Sequence, residues 1–111
     1  MIALNDARES QRFEVGTLVQ HRRYGYRGVV VAVDEVCRAG EAWYQKNQTQ
    51  PVRDQPWHHV LVHGTPTVTY AAGQNLMSDT ELVEIHHPLV AEFFTSFDGE
   101  KYIRNDRPWP G

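Results

Sequence analysis

The residues of this sequence best suited to binding chemistry form one short basic and aromatic segment. It reads His21-Arg22-Arg23-Tyr24-Gly25-Tyr26-Arg27-Gly28. Arginine carries a fork of N–H donors that suits phosphate or carboxylate. If the partner is DNA, the arginines would contact phosphates or a base edge, and the tyrosines would stack on an unpaired base. The candidate nucleic-acid or partner-binding residues are therefore Arg22, Arg23, Tyr24, Tyr26 and Arg27.

A purely structural role for the same residues is the alternative interpretation. The tyrosines would then pack within a hairpin, and the arginines would pair with Glu14, Asp34 or Glu35. Three positive charges supply only a few phosphate contacts. We therefore expect any affinity for DNA to be modest and to fall steeply with salt.

The histidines raise the question of a metal site. On a strand, His59 and His63 would share one face and His58 the other, while His86-His87 lies further along. Zinc sites usually need three or four converging ligands at recognisable spacings, and no such spacing occurs here. We predict no metal and no cofactor.

Catalytic chemistry has less support than binding. The acidic pairs Asp34-Glu35 and Glu81/Glu84 have no evident base or nucleophile beside them, and no glycine-rich phosphate loop precedes a helix. Arg38 follows the single cysteine, Cys37, but adjacency in sequence does not establish an activated thiol. We predict no catalytic residues and no enzyme activity.

Composition limits the fold and the range of partners. The 111 residues fit one domain, and with 41% hydrophobic and 23% charged residues they predict a folded protein. A net charge of −3 argues against strong nonspecific binding of nucleic acid, although it leaves room for a local basic site. One cysteine, no signal-peptide pattern and no membrane-length apolar run lead us to expect a cytoplasmic protein.

Periodicity predicts a mainly β domain. An apolar run, a glycine-containing turn and a second apolar run indicate a hairpin. The second strand is apolar at nearly every position, so both of its faces should be buried, and Phe13, Val15 and Leu18 should point inward. The five predicted strands are 17–21, 28–34, 57–63, 67–71 and 82–85. Five short strands indicate a small SH3-like β-barrel or a half-open roll, since closure of the sheet removes exposed edges.

Two helices complete the prediction. Residues 40–47 are good helix formers between the second and third strands, and the helix should end near Asn47. After Pro88, apolar residues at i, i+4 and i+8 predict a C-terminal helix that continues to Phe97 and stops at Asp98-Gly99. We expect residues 1–12 to be a flexible leader, 13–99 the domain, and 100–111 a tail with Tyr102, Ile103 and Trp109 as anchors.

The sequence resembles the YccV-like, or HspQ-type, family, also called the hemimethylated-DNA-binding domain. The matching blocks keep the family's order across residues 13–85. They are Phe13-Glu14-Val15-Gly16, His21 to Val30 with its Gly-Tyr-Arg-Gly turn, Asp34, Gln55-Pro56-Trp57-His58-His59-Val60-Leu61-Val62, Tyr70-Ala71 and Asn75-Leu76. The segment from His87 to Gly99 resembles versions of the domain that are attached to F-box proteins and chloroplast protease adaptors. It resembles the short bacterial heat-shock form less.

The resemblance implies a small SH3-like barrel and offers two functions. One is binding of double-stranded, hemimethylated DNA. The alternative, associated with the heat-shock members, is that of an adaptor or specificity factor that brings substrates to an AAA+ protease. The resemblance implies no catalytic residues. It also implies that His59 is a hydrogen-bonded structural residue beside Trp57. Aromatic side chains left outside the core would form a patch for a protein partner or a homo-oligomer.

Overall fold

The computed structural model describes residues 11–111, so the first ten residues of the predicted leader lie outside the described part of the chain. Within residues 11–111 the fold has seven strands, two short helices and one 3₁₀ turn. In chain order they are β1 (Leu18–His21), β2 (Arg27–Asp34), α1 (Glu41–Lys46), β3 (Trp57–Val62), β4 (Val68–Ala72), the 3₁₀ turn (Gly73–Asn75), β5 (Leu76–Ser78), α2 (Val90–Phe93), β6 (Phe94–Phe97) and β7 (Tyr102–Arg104).

Five strands form one antiparallel sheet in the order β4-β3-β2-β1-β5. Strand β5 returns to pair with β1, where Leu76 lies opposite His21. Among residues 11–111 no ladder joins the two edge strands, β4 and β5, so the sheet is not closed. The mainly β prediction is confirmed, and the described chain shows an open sheet of five strands.

Both faces of β2 are buried, as its continuous apolar run predicts. Val29 and Val31 belong to the core cluster on one face, and Val30 belongs to the cluster on the other. Phe13 and Leu18 also lie in the core, but the inward placement of Val15 was wrong. Val15 is exposed because it lies in the turn that Thr17 closes when its N–H donates to the Glu14 carbonyl at 3.1 Å.

The fifth predicted strand was misplaced. Residues 82–85 form no strand, and the fifth strand of the sheet is β5, six residues earlier. Leu82 has a φ of +53°, and its N–H donates to the Asp79 carboxylate at 3.2 Å. This turn interrupts the extended backbone, while Ile85 is apolar because it packs in the core without pairing in the sheet.

The C-terminal helix is also much shorter than its apolar pattern predicts. Only Val90–Phe93 is helical, and the chain then extends as β6 and pairs with β7. Asp98 Oδ1 accepts the N–H groups of Glu100 and Lys101, both at 2.9 Å, and Gly99 has a φ of +98°. Asp98-Gly99 is therefore a hairpin turn and does not end a helix.

Helix α1 ends at Lys46 with Asn47 as its C-cap, which confirms the prediction. Of the expected anchors, Tyr102 is buried and Trp109 packs against Phe93, whereas Ile103 is exposed. Neither helix within residues 11–111 has the length or apolar character needed to cross a lipid bilayer.

Candidate functional site

The basic and aromatic segment forms the turn of the β1–β2 hairpin. The His21 N–H donates to the Tyr26 carbonyl, and the Gly25 N–H donates to the His21 carbonyl, both at 2.9 Å. Gly25 has a φ of +77°, which a residue without Cβ adopts at little cost. The hairpin predicted from the glycine positions is confirmed, and its tip presents four consecutive exposed residues, 22 to 25.

His21 organises this turn, a role that its position in the sequence did not reveal. Its Nδ1 accepts the N–H groups of Arg23 and Tyr24, at 3.1 and 3.0 Å. An accepting Nδ1 carries no proton. Burial and the nearby charge of Arg23 both lower the pKa of His21, which favours this neutral form. Its ring also stacks on Tyr24, with 4.6 Å between ring centroids.

Arg22 and Arg23 are exposed on the tip of the hairpin. The Arg22 Nε donates to the Leu76 carbonyl at 3.1 Å, which ties its guanidinium to β5. The Arg23 guanidinium lies 5.8 Å from the centre of the Tyr24 ring. Neither arginine forms an ion pair with any of residues 11–111. As far as the described part of the chain goes, both charges therefore remain available to an anionic ligand.

Arg27 differs from the other two arginines because it has an acidic partner. Its Nη2 lies 3.0 Å from Asp79 Oδ2 and also donates to the Val83 carbonyl at 2.6 Å. Burial raises the pKa of the Asp79 carboxyl, but hydrogen bonds from Arg27 and Leu82 outweigh burial and leave this pKa below its usual value. Among the described residues, Arg27 is engaged within the fold.

The acidic partners named for these arginines were wrong. Within residues 11–111, Glu14 and Glu35 pair with Arg12, at 2.6 and 2.9 Å. Asp34 accepts from His59 and from the Tyr70 hydroxyl, at 3.2 and 2.7 Å. The acids nearest in sequence thus have other partners, and Arg27 uses one that lies 52 residues away.

The two tyrosines of the segment have different environments. Tyr24 is 52% exposed, whereas Tyr26 is partly buried against the core cluster that contains Phe13. The Tyr26 hydroxyl shares a 2.7 Å hydrogen bond with Thr69. Burial raises the pKa of Tyr26 despite this hydrogen bond. Only Tyr24 offers a ring face to an incoming ligand at the tip.

The residues proposed as structural, Trp57 and His59, lie on β3. Trp57 is buried and packs against Trp43 and Tyr70. His59 is partly buried, with its Nε2 on Asp34 and its ring 4.6 Å from the Tyr70 ring. No group of three or more His, Cys, Asp or Glu side chains within residues 11–111 could hold a metal ion.

Residues far away in sequence complete the surroundings of the hairpin. Helix α1 brings Trp43 to the same cleft as Tyr24 and Tyr26, and the 3₁₀ turn brings Asn75. The Tyr24 hydroxyl donates to Gln48 Oε1 at 3.4 Å. Sequence reasoning assigned no site role to Trp43 or Asn75, because no local period links residues 20 to 50 positions apart.

Comparison with known proteins identifies relatives of this domain. The family model YccV-like, described as "Hemimethylated DNA-binding protein YccV like", matches residues 11–101. F-box only protein 21 from Homo sapiens and from Mus musculus is 34% identical over 96 residues, which is 84% of this chain. The same protein from Pongo abelii matches equally well. The chain spans about 15% of the length of these relatives.

Proposed function

Because the chain belongs to the YccV-like family of hemimethylated DNA-binding proteins, we propose that it is a non-enzymatic module that binds double-stranded DNA through the tip of the β1–β2 hairpin. One observation carries the choice of this surface. Arg22 and Arg23 are adjacent, exposed and free of any acidic partner within residues 11–111. Unpaired guanidinium groups on a fixed turn suit phosphate oxygens or the edge of a guanine.

In this proposal the five residues of the segment have two kinds of role. Arg22 and Arg23 contact phosphates or a base edge, and Tyr24 presents its exposed ring to the DNA. Tyr26 and Arg27 support the turn, since one packs on the core and the other is bound to Asp79. Trp57 and His59 hold β3 in place behind the hairpin. A chain of net charge −3 then binds DNA through a local surface of limited affinity.

The finer description of the fold is also a proposal. An SH3-like barrel needs the last strand of the sheet to return beside the first, and β5 does pair with β1. The protease-adaptor alternative has no comparable support from the site or from the relatives. The relatives are F-box proteins by name. We would propose a protein partner for the present chain only if DNA binding failed.

The test is a fluorescence anisotropy titration of the domain with unmethylated, hemimethylated and fully methylated duplexes, at low and at physiological salt. We expect tightest binding to the hemimethylated duplex. The double variant Arg22→Ala/Arg23→Ala should weaken binding to every duplex at least tenfold, about 1.4 kcal/mol or more.

A charge-matched control is Lys101→Ala/Arg107→Ala. Both side chains are exposed, and Lys101 lies beside Thr17, before the start of β1, whereas the arginines follow its end. This control should keep the affinity within about twofold. Equal losses in the two double variants would remove the hairpin from the site. Equal binding to all three duplexes that disappears with salt would leave only nonspecific electrostatic binding.

A further inference from the structure

A cleft of about 320 Å³ opens beside the hairpin, between its tip, helix α1 and strand β4. This volume lies at the lower end of the roughly 300–1,000 Å³ found for small-molecule sites, so it has room for one flat ring system. Aromatic side chains from four parts of the chain form its walls, namely the hairpin, helix α1, β3 and β4. They are Tyr24, Tyr26, Trp43, Trp57 and Tyr70.

Polar groups in the same cleft are the imidazole of His21 and the amides and hydroxyls of Asn47, Thr49, Thr69 and Asn75. None of the described residues that line the cleft is an aspartate, glutamate, lysine or arginine. Aromatic faces combined with neutral donors and acceptors match a nucleobase, which stacks through its ring and forms hydrogen bonds through its edge. Asparagine in particular can pair with two atoms of adenine at once.

We propose that this cleft receives one unpaired nucleobase of the DNA bound by the hairpin, a proposal that rests on the function proposed above. Tyr24 joins the two surfaces, since it lines the cleft and lies next to Arg22 and Arg23. A strand whose phosphates contact these arginines therefore passes the mouth of the cleft. Stacking on Trp43, which is 39% exposed, offsets part of the cost of removing the base from the duplex.

A methylated lysine is the main competing occupant, because aromatic cages also bind quaternary ammonium groups. A quaternary ammonium has no N–H to donate to the amide and hydroxyl groups that line this cleft, and no lining carboxylate balances its charge. The neighbouring arginines would also repel it. The chemistry of the wall therefore favours a neutral base over a cationic side chain.

The experiment measures anisotropy with three DNA ligands of the same sequence: a paired duplex, a duplex with one mismatch, and the single strand. A mismatched base costs less to extrude, so we expect wild-type protein to bind the mismatched duplex about tenfold more tightly than the paired one. Tyr24→Ala and Trp43→Ala should each remove most of this preference. Ile103→Ala, an exposed apolar residue on β7, should retain it.

The outcomes separate this inference from the proposed function. One outcome is equal affinity for the paired and the mismatched duplex, with binding of both duplexes lost in Arg22→Ala/Arg23→Ala. This outcome would overturn the proposal that the cleft binds a base, and it would leave DNA binding by the hairpin supported. Preference for the single strand alone, again lost in Tyr24→Ala and Trp43→Ala, would support a base that is already unpaired over one extruded from a duplex.

If no duplex binds, the proposed function fails, and a single-stranded oligonucleotide of deoxyadenosine then tests the cleft alone. Quenching of tryptophan fluorescence that disappears in Trp43→Ala would support the cleft. Absence of quenching in wild-type protein would overturn it. Competition by a trimethyllysine peptide at the concentration where the oligonucleotide binds would also overturn it.

Discussion

The guanidinium of Arg27 and the carboxylate of Asp79 form an ion pair inside the fold, with 3.0 Å between Nη2 and Oδ2. The two side chains are only 12% and 1% exposed. Arg27 opens β2 at the end of the hairpin, and Asp79 directly follows β5. The pair therefore connects the candidate site to the edge strand of the sheet, and it separates Arg27 from the two arginines at the tip.

Arg27→Ala should destabilise the protein by about 3–5 kcal/mol, because it leaves the buried Asp79 carboxylate without its partner. Urea denaturation measures this change. Arg23→Ala, an exposed arginine of the same hairpin, should change the free energy of unfolding by no more than about 0.5 kcal/mol. The free energy of unfolding lost through Asp79→Ala should be smaller in the Arg27→Ala background than in wild-type protein. Equal losses in the two backgrounds would mean that the two residues do not interact.

The salt dependence of DNA binding should reflect two free arginines. With two phosphate contacts, the logarithm of the association constant should fall with the logarithm of salt with a slope of about −2. In Arg22→Ala/Arg23→Ala the slope should approach zero. Anisotropy titrations at four salt concentrations measure it. A slope much steeper than about −4 would mean that cations outside the hairpin tip make most of the contacts.

Stability should fall as the solution is acidified, because His58 is buried in its neutral form. Its Nε2 accepts the Phe13 N–H at 2.9 Å, and its Nδ1 lies 3.2 Å from the Ala71 carbonyl. Burial lowers its pKa from 6.5 to about 4, although the hydrogen bond to Ala71 opposes this change. The unfolded chain then binds a proton that the folded chain does not.

The stabilisation from neutral His58 is therefore complete above pH 6.5 and is lost as the pH falls toward about 4. The loss amounts to roughly 3 kcal/mol. Denaturation across this range should show a smaller decrease in His58→Gln than in wild-type protein, with exposed His86→Gln as the control. A decrease of the same size in His58→Gln would assign the acid sensitivity to other groups.

Gly16→Ala should be among the most destabilising single changes at a glycine. Gly16 has a φ of +91°, and a Cβ built there would collide with the backbone carbonyl of Tyr102. Gly99 has a φ of +98° but open space around it. Gly99→Ala should therefore cost only the strain of the left-handed backbone, about 1–2 kcal/mol.

Thermal unfolding followed by circular dichroism compares the two variants directly. The overlap at Gly16 adds to the same strain, so Gly16→Ala should cost about 1–3 kcal/mol more than Gly99→Ala. Equal losses of stability in the two variants would mean that the backbone near Tyr102 moves away from the new Cβ at no cost in free energy.

Removal of residues 100–111 tests whether the domain ends at Gly99. This deletion removes β7 and Tyr102, whose hydroxyl accepts the Ile85 N–H at 2.9 Å and whose ring lies 4.7 Å from that of Phe97. Loss of one buried aromatic side chain costs about 3–5 kcal/mol, so cooperative unfolding should be lost or strongly weakened. Deletion of Pro110-Gly111 alone should have little effect. A deletion protein that unfolds cooperatively near the wild-type temperature would make the tail dispensable.

The local pattern of the sequence was sufficient to predict the hairpin and the buried strand beside it. Gly25 marks a turn because its backbone conformation is unfavourable for other residues. The unbroken apolar run from Val29 to Val33 indicates a strand covered on both sides. The family resemblance also depended on such local blocks.

Tertiary structure alone decided which strand joins the first one and which acid joins Arg27. Ile85, Phe93 and Phe94 are apolar because they pack in the core, and burial in a core does not distinguish a loop, a strand or a helix. The partner of Arg27 lies 52 residues away, and the cleft draws its walls from four separate segments. Periodicity reports only on near neighbours, whereas these contacts depend on how distant segments pack together.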